Sequence, residues 1–327
     1  MFSNDRLSNN GNIKSITLGL QTSYSGFTFT KKVYAFNFSP ETFSSSIFTM
    51  VTNPSFWAYT SSPYKGYTFA GTNVDGNTTN PPKIGAYTFQ NDVLLVLAST
   101  LVNNDIAFVA SSGASSATAG YTFTGSGSLS QGTNVDHSNK FTFSSETCTS
   151  SSANVQSQLS FFQVVGCEYA LYILGGETRN VSTGLYSYLK PVNKVVYAND
   201  TILSFVLNMS TGAGCLNGGS NSTYVYNFNR DEGDGGNFNI LNIVDKMSQA
   251  SESSFTSLPA LASRQSTTAG DICQTPYNYY LQGGANDAIG TVWVSTSERY
   301  NYPTETSHAA IATLPESAIV TITNLLY

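Results

Sequence analysis

One short segment of the chain concentrates acidic residues on a glycine-rich loop. Asp231, Glu232 and Asp234 are interleaved with Gly233 and followed by Gly235 and Gly236. Carboxylate oxygens on a flexible loop are ligands that suit Ca²⁺. The segment lacks the spacing and the bidentate glutamate of an EF-hand, so a solvated turn between strands is the competing interpretation. The three acids are the candidate metal ligands, and we expect no other cofactor.

The chain has few histidines for catalysis or metal binding. The chain has two histidines, and any histidine-based triad or metal site would need His137 or His308. His137 lies in a polar turn and His308 just after a repeated strand, so we expect both to be structural or solvated. The sequence contains no GxSxG elbow, phosphate-binding loop or HExxH motif. We therefore expect a protein that is not an enzyme.

Two aromatic stretches offer a different kind of site. Trp57 and Tyr59 lie in the first, and Tyr277 and Tyr279 in the second. Their rings could stack on sugars, with neighbouring Asn, Ser and Thr side chains supplying hydrogen bonds. Both stretches run into predicted strands, where aromatic side chains usually fill the core. These four residues are the candidate binding residues, and core packing is the alternative.

The four cysteines form neither a CxxC pair nor a Cys/His zinc spacing. Cys148 and Cys167 could form a disulfide if their strands are neighbours. Buried free thiols in repeated inner strands are the other interpretation.

Composition limits the partners. Charged residues make up 10% of the 327 residues and the net charge is −6. Without clustered lysine or arginine we expect no nucleic-acid binding. Apolar runs are too short for membrane insertion. The first six residues are followed by polar ones, so we also expect no secretory signal peptide.

Two short signatures alternate along the chain and predict the elements that would position these residues. The first is an aromatic residue followed four positions later by Gly or a substitute, and the second is two large apolar residues one apart, usually followed by an acid and Thr. The first occurs at Phe27, Tyr67, Tyr121, Tyr172, Tyr226 and Tyr280. The second begins at Phe36, Tyr87, Phe141, Val195, Leu241 and Tyr300. A period of about 54 residues indicates a repeat architecture.

The ends of the chain predict a closed ring. Neither end carries a complete unit, and an open solenoid would need dedicated caps. Candidate closing strands are Ile13–Leu20 and Ala318–Leu326. We therefore predict an all-β fold: a single domain over residues 1–327, a six-bladed β-propeller whose closing blade is shared by residues 1–32 and 299–327.

The repeats resemble kelch repeats in two places. Tyr172 to Gly176 and Tyr280 to Gly284 are similar to the strand and double glycine of a kelch unit, and Val195 to Thr201 is similar to its next strand and turn. The stretches Lys140 to Thr147 and Leu261 to Arg264 resemble degenerate kelch-like repeats in proteins of bacteriophages, cyanophages and cyanobacteria. The Trp that usually follows the second kelch strand is missing.

This resemblance, with the composition, leads to a functional expectation. We expect a non-catalytic structural protein of a phage virion, in the tail or as an outer decoration, whose propeller binds other virion proteins. A lectin-like adhesin for host surface polysaccharide is the alternative. A propeller glycoside hydrolase is the third hypothesis, and the scarcity of histidine argues against it.

The repeated acids Glu41, Glu146 and Glu305 are expected to be structural, through hydrogen bonds to turn amides.

Overall fold

The computed structural model describes residues 14–18, 21–23, 28–29, 32–44, 48–49, 58–62, 64–69, 83–88, 93–102, 112–123, 138–153, 162–179, 186–209, 212, 214, 217–231, 240–261, 271–274, 277–285, 293–313 and 324–326. Throughout this part of the chain the regular elements are β-strands. The prediction of an all-β fold is confirmed, in line with the many aromatic and β-branched residues, which favour strands. Across the same ranges there is no helix of the length and hydropathy that a membrane crossing needs.

The N-terminal residues contribute six strands. They are β1 (Lys14–Leu18), β2 (Gln21–Ser23), β3 (Thr28–Phe29), β4 (Lys32–Phe38), β5 (Glu41–Phe43) and β6 (Phe48–Thr49). β1 pairs antiparallel with β4, which also pairs with β5 and β6. β2 and β3 form a small separate sheet.

Five four-stranded antiparallel sheets follow, which we call blades 1 to 5. Blade 1 consists of β7 (Ala58–Ser61), β8 (Lys65–Phe69), β9 (Lys83–Thr88) and β10 (Val93–Thr100). Blade 2 consists of β11 (Ser112–Ser115), β12 (Ala119–Phe123), β13 (Ser138–Thr142) and β14 (Thr147–Ser150). Blade 3 consists of β15 (Gln163–Gly166), β16 (Ala170–Leu174), β19 (Pro191–Val196) and β20 (Thr201–Asn208), with the hairpin β17 (Glu177–Arg179) and β18 (Tyr186–Tyr188) inserted.

The last two blades have the same design. Blade 4 consists of β21 (Asn217–Ser220), β22 (Tyr224–Asp231), β23 (Ile240–Ser248) and β24 (Phe255–Leu258). Blade 5 consists of β25 (Asp271–Gln274), β26 (Asn278–Ala285), β27 (Trp293–Asn301) and β28 (Thr306–Thr313). A final strand, β29 (Asn324–Leu326), follows blade 5. In every blade the strands lie side by side in chain order.

The first strands of the blades form the inside of a ring. β7 contacts β11, β11 contacts β15, and the series continues through β21 to β25. β29 contacts both β25 and β7 and so completes the circuit. Sheets arranged radially around a common axis in this way define a β-propeller.

The ends of the chain meet in one sheet, which we call the terminal sheet. β1 pairs antiparallel with β29, Ser15 opposite Leu326 and Thr17 opposite Asn324. The predicted pairing of N-terminal with C-terminal strands is confirmed. The terminal sheet has five strands, β29, β1, β4, β5 and β6.

The six-bladed prediction is wrong. The described residues form five four-stranded blades, and the strands at the chain ends build the five-stranded terminal sheet instead of a further matching unit. Dividing the chain length by six assumed equal units. Of the described residues, the terminal sheet takes β1, β4, β5 and β6 from one end of the chain and only residues 324–326 from the other, whereas residues 293–313 belong to blade 5. This division differs from the expected split at 1–32 and 299–327.

The cores lie between neighbouring blades. Between blades 1 and 2, Tyr67 and Phe69 pack with Phe141. Between blades 4 and 5, the Phe228 and Tyr279 rings stack with centroids 4.0 Å apart. Each buried aromatic side chain contributes roughly 1.5–3 kcal/mol of transfer free energy, and aliphatic side chains such as Val165 and Leu174 fill the core between blades 3 and 4.

Backbone hydrogen bonds identify equivalent positions in the blades and correct one repeat. The N–H groups of Phe143, Tyr197 and Tyr302 each donate to the carbonyl just before the second strand, and in blade 4 this donor is Gln249, which bonds Thr223. The second signature of blade 4 therefore begins at Met247 and includes Gln249. The predicted copy at Leu241 and Ile243 is wrong.

Candidate functional site

In blades 2 to 5 the acid of the second signature lies between the third and fourth strands, and in the terminal sheet Glu41 begins β5. In blades 2 to 5 this turn acid has a left-handed backbone, with φ of 52° at Glu146, 54° at Asp200, 47° at Glu252 and 53° at Glu305. Left-handed backbone is uncommon for residues other than glycine. Four such residues at one repeated position indicate that the carboxylate compensates for the backbone cost.

Each carboxylate pairs with a cation from the preceding blade. The nitrogen–oxygen distance is 2.7 Å for Lys65–Glu146 and Lys140–Asp200, and 2.5 Å for Lys194–Glu252. Lys246 pairs with Glu305, and Arg299 of blade 5 reaches Glu41 of the terminal sheet at 2.7 Å. The pairs are partly exposed, so each contributes more through charge-assisted hydrogen bonding than through simple Coulomb attraction.

The tyrosine of the first signature joins four of these pairs. Its hydroxyl donates to the same carboxylate: Tyr67 to Glu146 at 3.2 Å, Tyr121 to Asp200 at 2.7 Å, Tyr172 to Glu252 at 2.5 Å and Tyr280 to Glu41 at 3.1 Å. The result is a repeated triad of tyrosine, cation and acid that spans a blade interface. We call each one an interface triad.

Strand register explains how the sequence builds these triads. Directly opposite the signature tyrosine on the third strand lies a cation in four blades: Lys140 opposite Tyr121, Lys194 opposite Tyr172, Lys246 opposite Tyr226 and Arg299 opposite Tyr280. Blade 1 has Ala86 at this place, opposite Tyr67. Its cation is Lys65, which comes two residues before Tyr67 on the second strand.

The same register locates the corresponding position in the terminal sheet. In the terminal sheet the residue that corresponds to Tyr67 is Ile16, which lies opposite Ala35. The predicted copy at Phe27 lies outside the described residues, as does Asp92, the acid expected in blade 1. Lys14 holds on β1 the place that Lys65 holds on β8, since each lies two residues before the corresponding position.

Burial and the neighbouring carboxylates raise the pKa of the signature tyrosines. Burial is the largest cause of the raised pKa of Tyr67, Tyr121 and Tyr172, and the hydrogen-bonded carboxylate adds to it. The pKa of Tyr226 rises to about 12 through burial and the charge of Glu305. The Tyr67, Tyr121 and Tyr172 hydroxyls therefore act as hydrogen-bond donors near neutral pH, whereas the Tyr226 hydroxyl accepts from the Asn221 side-chain amide at 3.2 Å.

The repeated acids thus fasten one blade to the next. Glu41, Glu146 and Glu305 were expected to bond turn amides, and instead their carboxylates bond cations of the preceding blade. Asparagine side chains accept hydrogen bonds from the turn amides. Asn199 Oδ1 accepts from the Thr201 N–H at 3.3 Å, and Asn301 Oδ1 accepts from the Thr304 N–H at 3.0 Å.

The predicted metal ligands are only partly described. Asp231 ends β22, and Glu232 and Asp234 lie outside the described residues. Within the described ranges, no three His, Cys, Asp or Glu side chains come together as a metal group. His308 is exposed on β28 with Nε2 3.4 Å from the Thr306 hydroxyl, and His137 is not described.

The predicted aromatic binding residues do not share one environment. Tyr279 is buried and stacks on Phe228 as part of the core. Tyr277 is exposed. Tyr59 belongs to β7, opposite Thr68, and Trp57 lies outside the described residues. The structure therefore separates Tyr277 from Tyr279 although they are near neighbours in sequence.

Cys148 and Cys167 are both free, so the disulfide alternative is wrong. Burial raises the pKa of the Cys148 thiol to about 11 and that of Cys167 to about 12. Neither thiol is a thiolate near neutral pH, and both act as packing groups.

Exposed tyrosines recur at one turn of every second blade. The residue just before the second strand is Tyr64 in blade 1, Tyr169 in blade 3 and Tyr277 in blade 5, each more than half exposed. Blades 2 and 4 have Thr118 and Thr223 there. In an antiparallel meander the turn after the first strand and the turn after the third lie at the same end. These tyrosines therefore share one face of the ring with the turn acids, which we call the short-turn face.

Comparison with known proteins supports the fold. No protein-family model matches the chain, and no curated protein matches it. Among solved structures, one described as "Structure of YjhT" aligns over 92% of this chain and 98% of its own length with a TM-score of 0.66. The sequence identity is 10%. The chain is a β-propeller, and the likeness extends to the fold alone.

The cations were missed by sequence reasoning, although a signal was present. Lys140, Lys194, Lys246 and Arg299 each come immediately before the second signature. A search for a cation at that position would have found Met247 as the start of the blade 4 copy. Lys65 carries no such signal, because its role follows from strand register.

Proposed function

We propose that this protein is a non-catalytic structural component of a phage virion, in the tail or as an outer decoration, with the propeller as a scaffold for other virion proteins. The observation that carries the proposal is the series of interface triads. Five repeated acids are bound to cations of the neighbouring sheet. A ring fastened at successive interfaces suits a part that must stay rigid outside a cell.

The kelch-like repeats support the same proposal. Lys140 to Thr147, the stretch that resembles phage and cyanobacterial repeats, contains two members of interface triads, Lys140 and Glu146. The resemblance therefore lies in residues that hold blades together. A shared scaffold is the property that this kind of likeness favours.

Particle composition tests the virion role. Virions of the phage that carries the gene would be purified by density gradient and analysed by quantitative mass spectrometry. We expect several copies of the protein per particle, retained after high-salt washing. Its absence from intact particles, with abundant protein in the infected lysate, would overturn the proposal.

The exposed tyrosines favour a second candidate, a lectin-like adhesin for host polysaccharide. Tyr64, Tyr169 and Tyr277 present rings on the short-turn face, and aromatic faces are common platforms for sugars. A glycan array, run with and without Ca²⁺, would be probed with a variant in which Tyr64, Tyr169 and Tyr277 are all replaced by alanine. The matched control is the double variant Thr118→Ala and Thr223→Ala, which alters the same turn position in blades 2 and 4. Binding that is lost only in the tyrosine variant would support the adhesin, and equal signals from both variants would reject this face.

A further inference from the structure

Three exposed tyrosines of the short-turn face lie at the same turn position of alternate blades. Tyr64 is 59%, Tyr169 74% and Tyr277 57% exposed. Blades 2 and 4 have Thr118 and Thr223 at this position, and these are exposed as well. Tyrosine is one of the residues enriched at protein–protein interfaces, where it serves as an anchor.

The turn itself does not require a tyrosine. In blades 1 to 4 the same backbone hydrogen bond closes it, with a length of 2.8 Å from Ser62 to Lys65, Ser116 to Ala119 and Cys167 to Ala170, and of 3.0 Å from Asn221 to Tyr224. The turn therefore forms in the same way around a threonine and around a tyrosine. The exposed rings are thus available for contact with a partner.

The three tyrosines divide the ring into equal sectors. Blade 2 lies between Tyr64 and Tyr169, and blade 4 lies between Tyr169 and Tyr277. The terminal sheet lies between Tyr277 and Tyr64, because β5 contacts β28 of blade 5 and β29 contacts β7 of blade 1. One sheet therefore separates each tyrosine-bearing blade from the next, which is the arrangement around a three-fold axis.

We propose that the short-turn face binds a homotrimeric protein of the same virion, with one subunit on each of Tyr64, Tyr169 and Tyr277. The three-fold axis of the trimer then coincides with the axis of the ring. A cyclic trimer presents the same surface three times at equal spacing, as these tyrosines do. Such a partner presupposes the virion role proposed above and adds the symmetry of the protein that the scaffold holds.

The area of the contact favours a trimer over a single chain that binds one tyrosine. A buried tyrosine covers roughly 150–250 Å². One ring is a small part of the about 800 Å² that each partner buries in a stable interface. Three rings engaged together bury roughly 450–750 Å², which approaches that area. Simultaneous binding of three weak contacts also raises the overall affinity well above that of each one.

The charges of the short-turn face are already paired within the ring. In blades 2 to 5 each turn acid binds a lysine of the preceding blade. The contact with the trimer therefore depends on the aromatic rings more than on charge. We expect it to persist in high salt, which screens exposed charges and leaves apolar contacts in place.

Site-specific photo-crosslinking in assembled virions tests the trimer. The protein would be supplied to infected cells with p-benzoylphenylalanine in place of Tyr64, Tyr169 or Tyr277, and purified particles would be irradiated and analysed by mass spectrometry. We expect all three positions to crosslink to one segment of one partner protein, in a complex with three partner chains per propeller. The matched controls carry the same group at Thr118 or Thr223 and should not reach that segment.

Retention in particles gives a second measurement. Replacing all three tyrosines by alanine should lower the amount of the protein in washed virions at least about tenfold. The double variant Thr118→Ala and Thr223→Ala should be retained as the wild type is. Thermal unfolding of both variants checks that each one folds.

The outcomes separate the trimer from the virion role. Crosslinks from the three tyrosine positions to different proteins or to unrelated segments, in particles that contain the protein, overturn the trimer and leave the virion role standing. The same holds if the threonine positions reach the same segment as the tyrosines. Crosslinks to polysaccharide alone would overturn the trimer and assign these tyrosines to a glycan. Absence of the protein from particles overturns the virion role and the trimer together.

Discussion

The interface between blades 1 and 2 and the interface between blades 3 and 4 contain the same triad built from different strands. At the second, Lys194 lies on the third strand, opposite Tyr172, and reaches Glu252. At the first, Ala86 lies opposite Tyr67, and Lys65 of the second strand reaches Glu146. The two lysines are not equivalent in sequence, yet both carboxylates receive an ammonium and a tyrosine hydroxyl.

The comparison shows that the geometry of the turn acid is more strictly specified than the source of its cation. The acid occupies one position and, in blades 2 to 5, one left-handed backbone conformation. A lysine side chain is long and flexible enough to arrive from either strand. Such a repeat can therefore have alanine at this position, as at Ala86, when a lysine on the neighbouring strand makes the contact.

The largest expected effect comes from closing the space between the first strand of blade 4 and the aromatic rings of blade 5. A Cβ atom at Gly219 would lie 2.6 Å from the Tyr279 ring and 2.7 Å from the Tyr302 hydroxyl oxygen. We expect Gly219→Ala to lower the free energy of unfolding by about 3 kcal/mol, because packed aromatic rings must move. Urea unfolding measures the change. Gly166→Ala is the comparison, since its closest contacts are 3.1 Å and it should cost less.

Removing a turn acid should break one interface triad. Glu252→Ala leaves Lys194 and the Tyr172 hydroxyl without their carboxylate, and we expect a loss of about 1–3 kcal/mol in the free energy of unfolding. Glu252→Gly relieves the left-handed backbone and should lose less than Glu252→Ala. Equal stability of Glu252→Ala and wild type would show that the triad contributes nothing.

Moving the cation in blade 1 to the position used in blade 3 sharpens the comparison. We expect Lys65→Met to cost about 1 kcal/mol, in the range of a partly exposed pair. Adding Ala86→Lys to Lys65→Met should restore part of that loss, because position 86 faces Tyr67 as Lys194 faces Tyr172. Thermal and urea unfolding of the four combinations gives a double-mutant cycle. A double variant less stable than Lys65→Met alone would contradict the equivalence of the two positions.

The smallest expected effect is that of pH on the free energy of unfolding, which changes only in the alkaline range. The Cys148 thiol has its pKa raised from 9.0 to about 11, and the Tyr226 hydroxyl from 10.0 to about 12. The unfolded chain loses these protons at lower pH than the folded one, so the free energy of unfolding stays flat below about pH 9 and falls above it. Urea unfolding at several pH values measures the slope, and Tyr226→Phe should reduce it above pH 10. A flat profile to pH 11 would be inconsistent with these shifts.

The sequence predicted the parts of the fold that rest on local pattern. Aromatic residues one apart located the third strands at Phe141 and Tyr300, and the β-rich ends located the pairing of β1 with β29. The copy at Met247 was missed because methionine and Gln249 replace the aromatics, and apolar Leu241 and Ile243 lie nearby on the same strand. The blade count was wrong because equal division of the chain ignored how little of its C-terminal end joins the terminal sheet.

The candidate site could be predicted less well. The acids were recognised as a repeat, but their partners lie in another blade, 81 residues apart for Lys65 and Glu146. Register between strands and packing between sheets determine such contacts, and neither can be predicted from the spacing of one motif. The exposed turn tyrosines could not be predicted for a similar reason: Tyr277 lies in the turn just before β26 and is exposed, whereas Tyr279 lies within β26 and packs on Phe228 of blade 4.

The pairing of β1 with β29 also has a mechanical consequence. Because the two strands are antiparallel, the N-terminal end of β1 lies beside the C-terminal end of β29, with Ser15 opposite Leu326. A force that pulls the two chain ends apart therefore acts on the hydrogen bonds between β1 and β29 one at a time, starting at the pair nearest the ends, and they break in sequence. The ring would open at its seam under a small load, while the five blades, joined in series by the lysine–acid pairs between them, remain folded.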